Sequence, residues 1–206
     1  MKDSTFSHLK IVWTKPGETM KAVVENPFRP LPAFLIVYIS VFYEVLNQAA
    51  NSSIMETLLP STSFALMFVL ALFFVPFYYS LAPVLFRFTG KWFGGKASYE
   101  ELQQQVVVMS LPRLVSILTW VPYLALFGNS MFKEQILVPN QGLSIVFYIL
   151  VAIEFIISAW VLVIQLISLS VVQRFSLWRA FFNLATAFLV LCVIAVFIYV
   201  GVVIMI

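Results

Sequence analysis

Five apolar runs, each about as long as a bilayer is thick, constrain this chain more than any other feature. They are Leu31 to Gln48, Ser63 to Phe88, Val106 to Phe127, Leu143 to Val172 and Phe181 to Ile206. A hydrocarbon core of about 30 Å takes roughly 20 helical residues at 1.5 Å each. A lipid-embedded helix satisfies its own backbone hydrogen bonds, so the expected architecture is an all-α membrane bundle. Five transmembrane helices over residues 31–206 follow a short amphipathic segment at 1–30. The runs occupy about 120 residues, and the largest remaining block, roughly 30 residues ahead of the first run, is below the ~50 that an independent domain needs. That argues against a separate soluble catalytic domain. Composition agrees: 62% of residues are hydrophobic and 10% charged, against about 45–50% and about 25% in soluble domains.

The second, fourth and fifth runs exceed the minimum and must tilt, kink or project past the hydrocarbon. Pro76, Pro83, Pro112 and Pro122 lie within or near the ends of the second and third. Each frees a carbonyl four residues back, which a neighbouring helix or hydroxyl must satisfy, so kinked and mutually packed helices are expected.

Residues 1–26 hold no apolar core of signal-peptide length, and orientation is read from charge. Lys2, Lys10, Lys15, Lys21 and Arg29 precede the first run, Arg87, Lys91 and Lys96 lie between the second and third, and Arg174 and Arg179 between the fourth and fifth. The opposite loops hold Lys133 with Glu56 and Glu134. The positive-inside rule therefore places the N-terminus in the cytoplasm and Ile206 outside or in a lumen. The net charge of +3 follows from these flanking residues, which suit anionic lipid headgroups rather than nucleic acid. Trp92, Tyr99 and Trp178 fall at the cytoplasmic border and Tyr123 at the outer one, where such rings are favoured.

Ahead of the first run, Phe6, Leu9, Val12 and Trp13 recur at helical spacing beside Lys2, His8 and Lys10, and a second helix starts near Pro16 and ends before Asn26. One or two helices on the inner leaflet are expected, either as a membrane-surface anchor or as a docking arm for a partner.

The stretch Gly90 to Ala97, GKWFGGKA, comes within one residue of a nucleotide-binding P-loop. A membrane helix rather than a strand precedes it, and Ala97 stands where a hydroxyl would hold magnesium, so nucleotide binding is not expected. The residues read more simply as a turn. Gly90 ends the second helix in the left-handed conformation, Gly94 and Gly95 allow a tight reversal, and Ser98 with Glu101 forms a capping box.

Within the runs, Glu44, Arg113 and Glu154 are ionisable, and such residues mark functional-site candidates. Glu154, Ser158, Gln165 and Ser168 fall within roughly 80° on one helix face, and Ser40, Glu44 and Gln48 repeat every turn on another. Counting depth from the ends of the runs sets Arg113, beside the Pro112 bend, within a few Å of the level of Glu154. An Arg113–Glu154 ion pair is one reading. The other has Glu154 hydrogen-bonded within the bundle and Arg113 reaching toward the inner leaflet. His8 and Cys192 are the only residues of their kinds, so no metal cluster, disulfide or hydrolytic constellation of known type can be assembled, and no cofactor is expected. Cys192, in an apolar run, reads as packing.

The tract GKWFGGKASYEELQQQVVVMSLPRLV, Gly90 to Val115, resembles the Yip family (Ypt/Rab-interacting-protein domain), with its Gly-Gly loop after the second helix, a capped Gln-rich helix start and a later Pro. The tract VWTKPGETMKAVVENPFRPLP, Val12 to Pro32, is similar to the bacterial branch. The resemblance implies a five-helix membrane protein without catalytic residues. Eukaryotic members are linked to endoplasmic-reticulum and Golgi trafficking and to small GTPases through a longer cytosolic region, whereas some bacterial members look like accessory components beside ABC transporters. The short segment here favours the second setting, in the plasma membrane.

Two functions of different class are thus expected. One is a non-enzymatic scaffold or assembly factor for a membrane partner such as an ABC transporter. The other is a small transporter or permeability element using the stripe around Glu154, against which stand the lack of internal repeats and of glycine-broken helices. A third, membrane shaping by the N-terminal segment, would need curvature sensitivity.

Overall fold

A computed structural model describes residues 4–50, 60–132 and 141–205. Lys2, Glu56, Lys133, Glu134 and Ile206 lie outside the described residues, as does the side chain of Phe6. The chain forms α1 (Ser4–Ile11), α2 (Pro16–Glu25), α3 (Pro30–Ala50), α4 (Pro60–Trp92), α5 (Tyr99–Ser110), α6 (Arg113–Ser116), α7 (Trp120–Phe127), α8 (Gln141–Gln173) and α9 (Leu177–Met205). Among the described residues, five helical stretches are long and apolar enough to cross a membrane: Pro30–Ala50, Thr62–Trp92, Tyr99–Phe127, Gln141–Gln173 and Leu177–Val202. The all-α bundle of five spans is therefore the observed architecture. α4 and α8 have 33 residues each, about 50 Å of helix against a core of about 30 Å, so both project beyond the hydrocarbon.

The third span is composite. α5 begins at Tyr99, seven residues ahead of the apolar run, because Ser98 and Glu101 cap it: Glu101 N donates to Ser98 Oγ at 3.1 Å, and Ser98 N donates to Glu101 Oε2 at 2.7 Å. It ends where Pro112, lacking an N–H, interrupts the ladder. Leu111 N and Leu114 N then bond three residues back, to Val108 and Leu111. A 3-10 turn, Ile117–Thr119, joins α6 to α7. Leu111 and Pro112 keep right-handed helical dihedrals, so the chain changes pitch without reversing. α4, by contrast, continues as helix through Pro76 and Pro83.

α3 packs on α4 and α5, α5 packs between α4 and α8, and α9 crosses α4 and α8. Two buried clusters result. One includes Val37, Leu85, Leu102, Val106, Leu111, Ile164 and Leu169. The other, largely aromatic, gathers Tyr43, Trp120, Tyr123, Phe127 and Phe132, with Trp120 stacked on Phe132 at 5.9 Å. Tyr123 is buried in this cluster.

The N-terminal arm corrects a second expectation. α2 turns Pro16, Thr19, Met20 and Val23 inward and packs on α8 and α5, and Val12, Met20 and Val23 belong to the first cluster. Trp160 Nε1 donates to the Trp13 carbonyl at 2.9 Å. The apolar face is thus buried on the protein rather than laid on lipid, because projecting turns of α5 and α8 offer it an apolar wall.

α9 is packed only along its first turns. Every residue from Leu191 to Val200 is exposed, so each face of that stretch is free, Cys192 included, contrary to its expected place in packing.

Candidate functional site

The loop that joins α4 to α5 is built around Gln173, the last residue of α8, which is 1% exposed. Gln173 Nε2 donates to the Phe86 carbonyl at 2.8 Å, its Oε1 accepts from Ala97 N at 3.3 Å, and its own carbonyl accepts from Lys96 N at 3.1 Å. Asn183 of α9 also donates to the Phe86 carbonyl, at 3.3 Å, and its Oδ1 lies 2.5 Å from Thr89 Oγ1. These buried groups knit α4, α8, α9 and the loop together.

That packing explains the glycines. Gly90 does not end α4 in a left-handed conformation, as the sequence suggests: the helix runs on to Trp92, and the left-handed residue is Gly94 (φ 80°). Gly90 is required by closeness, since a Cβ there would strike Gln173 Nε2 and lie 2.9 Å from Gln173 Cδ. At Gly95 a Cβ would strike Gln173 Oε1 and lie 2.9 Å from the Gly90 carbonyl. The amides of Phe93, Gly94 and Gly95 donate to the carbonyls of Gly90 and Lys91, so the groups a phosphate would need are already engaged. Arg174 ends α8 at φ 59° and reaches Glu101 Oε1 at 2.9 Å, tying the capping box to α8.

The second polar group lies inside the bundle. Arg113 Nη2 stands 2.6 Å from Glu44 Oε1, so Arg113 pairs with Glu44 of α3 rather than with Glu154. Glu154 Oε1 instead lies 2.7 Å from Thr119 Oγ1, which agrees with the reading of Glu154 as hydrogen-bonded within the bundle. The depth count fails because α8 overshoots the core, so distance from the end of its apolar run misplaces Glu154. Tyr43 lies near both carboxylates and is hydrogen-bonded to Asn47, whose Oδ1 also accepts from Trp120 Nε1 at 3.0 Å.

The stripe on α8 divides among different surroundings. Glu154 meets Thr119, Ser158 is exposed, and Ser168 accepts from Gln105 Nε2 at 3.4 Å. Gln165 faces a cavity of about 630 Å³. Ser40, Glu44 and Gln48, the shorter stripe on α3, all line that cavity together with Arg113. Sequence reading missed Gln173, Asn183, Thr89 and Asn47. For Asn183 a signal exists, since it is a lone amide in the apolar stretch after the turn between the last two spans.

Among the described residues no three His, Cys, Asp or Glu side chains are grouped as metal ligands would be. The arrangement is one of structural polar contacts and an intramembrane cavity. No curated protein and no solved structure matches the chain. The Yip1 domain matches residues 10–200, from the arm through most of α9, and the chain belongs to the Yip1 domain family as a multi-pass protein embedded in the lipid bilayer.

Proposed function

We propose that this protein is a non-catalytic scaffold or assembly factor that works through helix-to-helix contact with a partner in the membrane, an ABC transporter being the favoured kind. The observation that carries the reading is the bare stretch of α9. From Leu191 to Val200 no face is covered by the protein itself. Helices associate in lipid through close packing over such faces, helped by small residues, and Ala195 and Gly201 supply two. The charge asymmetry supports a cytoplasmic N-terminus, which sets the bare stretch in the outer half of a plasma membrane and leaves the arm on the inside. The alternative, a transporter working through the Glu154 stripe, is less favoured because Glu154, Ser158 and Gln165 face three different surroundings.

The test is purification of the tagged protein from its native membrane in mild detergent, with co-purifying proteins identified by mass spectrometry. A stoichiometric membrane partner is expected, and Ala195→Phe should remove it without altering expression. Recovery of the protein alone across several detergents would count against the scaffold role and make flux assays the next step.

A further inference from the structure

The cavity beside Arg113 and Glu44 has a polar floor, of which Glu44 and Gln48 are themselves exposed, and an apolar mouth between α4 and α9. Phe74, Phe77 and Leu81 on α4 and Phe188 and Leu191 on α9 line it and are also exposed on the bundle's surface. Both helices cross the membrane, so the mouth opens onto hydrocarbon and its occupant arrives through the bilayer. A volume of about 630 Å³, apolar but for a few convergent polar groups, is within the range of about 300–1,000 Å³ typical of small-molecule sites.

α9 beyond Leu184 is wholly apolar apart from Thr186, Cys192 and Tyr199, so a second copy of it offers little to the polar floor.

Charge then narrows the polar end of the ligand. Arg113 and Glu44 cancel each other at 2.6 Å. The guanidinium carries five N–H donors and the carboxylate two acceptor oxygens, so both retain capacity after their mutual contact, and Gln48 and Gln165 add amides. An ionised headgroup would bring a charge whose only counter-ions among the lining residues, Arg113 and Glu44, are already paired with each other, which is costly in apolar surroundings. A hydroxyl or carbonyl is satisfied by the same groups without that cost. We propose that the cavity binds a neutral lipid, an apolar chain ending in a hydroxyl or ester carbonyl, which enters between α4 and α9 and sets its polar end against the Arg113–Glu44 pair.

The test uses the full-length protein in phosphatidylcholine vesicles, photolysed with a diazirine-bearing diacylglycerol or with phosphatidic acid carrying the same chain. Diacylglycerol is expected to label peptides containing Phe77 and Phe188. Labelling should fall about tenfold in Ala187→Phe and in Ala82→Phe, each of which fills the cavity from a different helix. Elution profile and thermal transition mark which variants are folded. Competition on the wild-type protein is free of folding defects: excess unlabelled diacylglycerol should abolish the labelling and excess phosphatidic acid should not. Equal or stronger labelling by phosphatidic acid, or unchanged labelling in a folded cavity-filled variant, would overturn the proposal. Loss of a co-purifying partner leaves this labelling untouched, so the two readings fail separately.

Discussion

Arg113, one residue past the proline that breaks the third span, holds Glu44 of the first span at 2.6 Å. With Arg113 23% and Glu44 51% exposed, much of that toward the cavity, the pair is worth less than the about 3–5 kcal/mol of a fully enclosed one. Arg113→Ala and Glu44→Ala should each destabilise the bundle, and the double variant should recover about 0.5–2 kcal/mol of the summed loss in a mixed-micelle unfolding titration. Arg113→Ala and Glu154→Ala, by contrast, should add. Recovery in the second cycle and not in the first would return Glu154 as the partner.

The glycines around Gln173 make a second, sharper prediction. Gly90→Ala forces its Cβ into the ends of the Gln173 and Asn183 side chains, whereas Gly95→Ala also meets the Gly90 carbonyl at 2.9 Å. Both should destabilise by more than about 2 kcal/mol, as overpacking in a filled core does. Gln173→Ala clears the side chain but not the backbone. It should therefore restore part of the stability lost in Gly90→Ala and little of that lost in Gly95→Ala, read from thermal transitions of the three single and two double variants. Equal rescue of both would mean that the close approach is not what requires glycine.

These two sites show how much of the molecule is legible in one dimension. The spans are, because apolar length is a local property, and so is the capping box, because Ser98 and Glu101 are three residues apart. The polar stripe of α3 is legible for the same reason: Ser40, Glu44 and Gln48 share a face whatever packs on it, and they line one cavity. What fails is every statement that needs the relative height of two helices. Glu154 and Arg113 are level only if the hydrocarbon begins where both apolar runs do, whereas the third span starts at Tyr99, seven residues ahead of its run, and α8, with 33 residues, projects past the core. Gly90 looks like a helix stop because the requirement for it comes from Gln173, 83 positions away. The arm looks amphipathic toward lipid because nothing in its own sequence reveals the walls of α5 and α8.

Docking of that arm is open to a direct check. Met20 is fully buried, and Trp13 is held through its carbonyl by the Trp160 indole at 2.9 Å. Met20→Asp buries a carboxylate without a partner and should release α2, at a cost above about 3 kcal/mol to its docking. Trp160→Phe removes one hydrogen bond at a partly exposed site and should cost about 1 kcal/mol. Hydrogen exchange of the α2 amides, followed in the reconstituted protein, should therefore approach unprotected rates in the first variant and rise only severalfold in the second. Unchanged protection in Met20→Asp would mean that the arm's contacts with the bundle do not hold it.

The same arm should respond to pH through His8. Its ring meets Phe28 edge-on with centroids 5.4 Å apart, and its Nδ1 is buried with no hydrogen-bond partner among the described residues. Burial lowers the imidazole pKa from its usual 6.5. The docked arm therefore binds fewer protons than the released one between the folded pKa and 6.5. The contribution of the neutral ring is fully present above about 6.5 and is lost as pH falls through the lower, folded value. Acidification from about pH 8 to about pH 5 should thus loosen α1 in exchange measurements corrected for the intrinsic rate, and His8→Phe, which keeps an aromatic contact without the titration, should flatten the dependence. If the wild type and His8→Phe loosen in parallel, another group carries the pH response and the buried imidazole has no part in it.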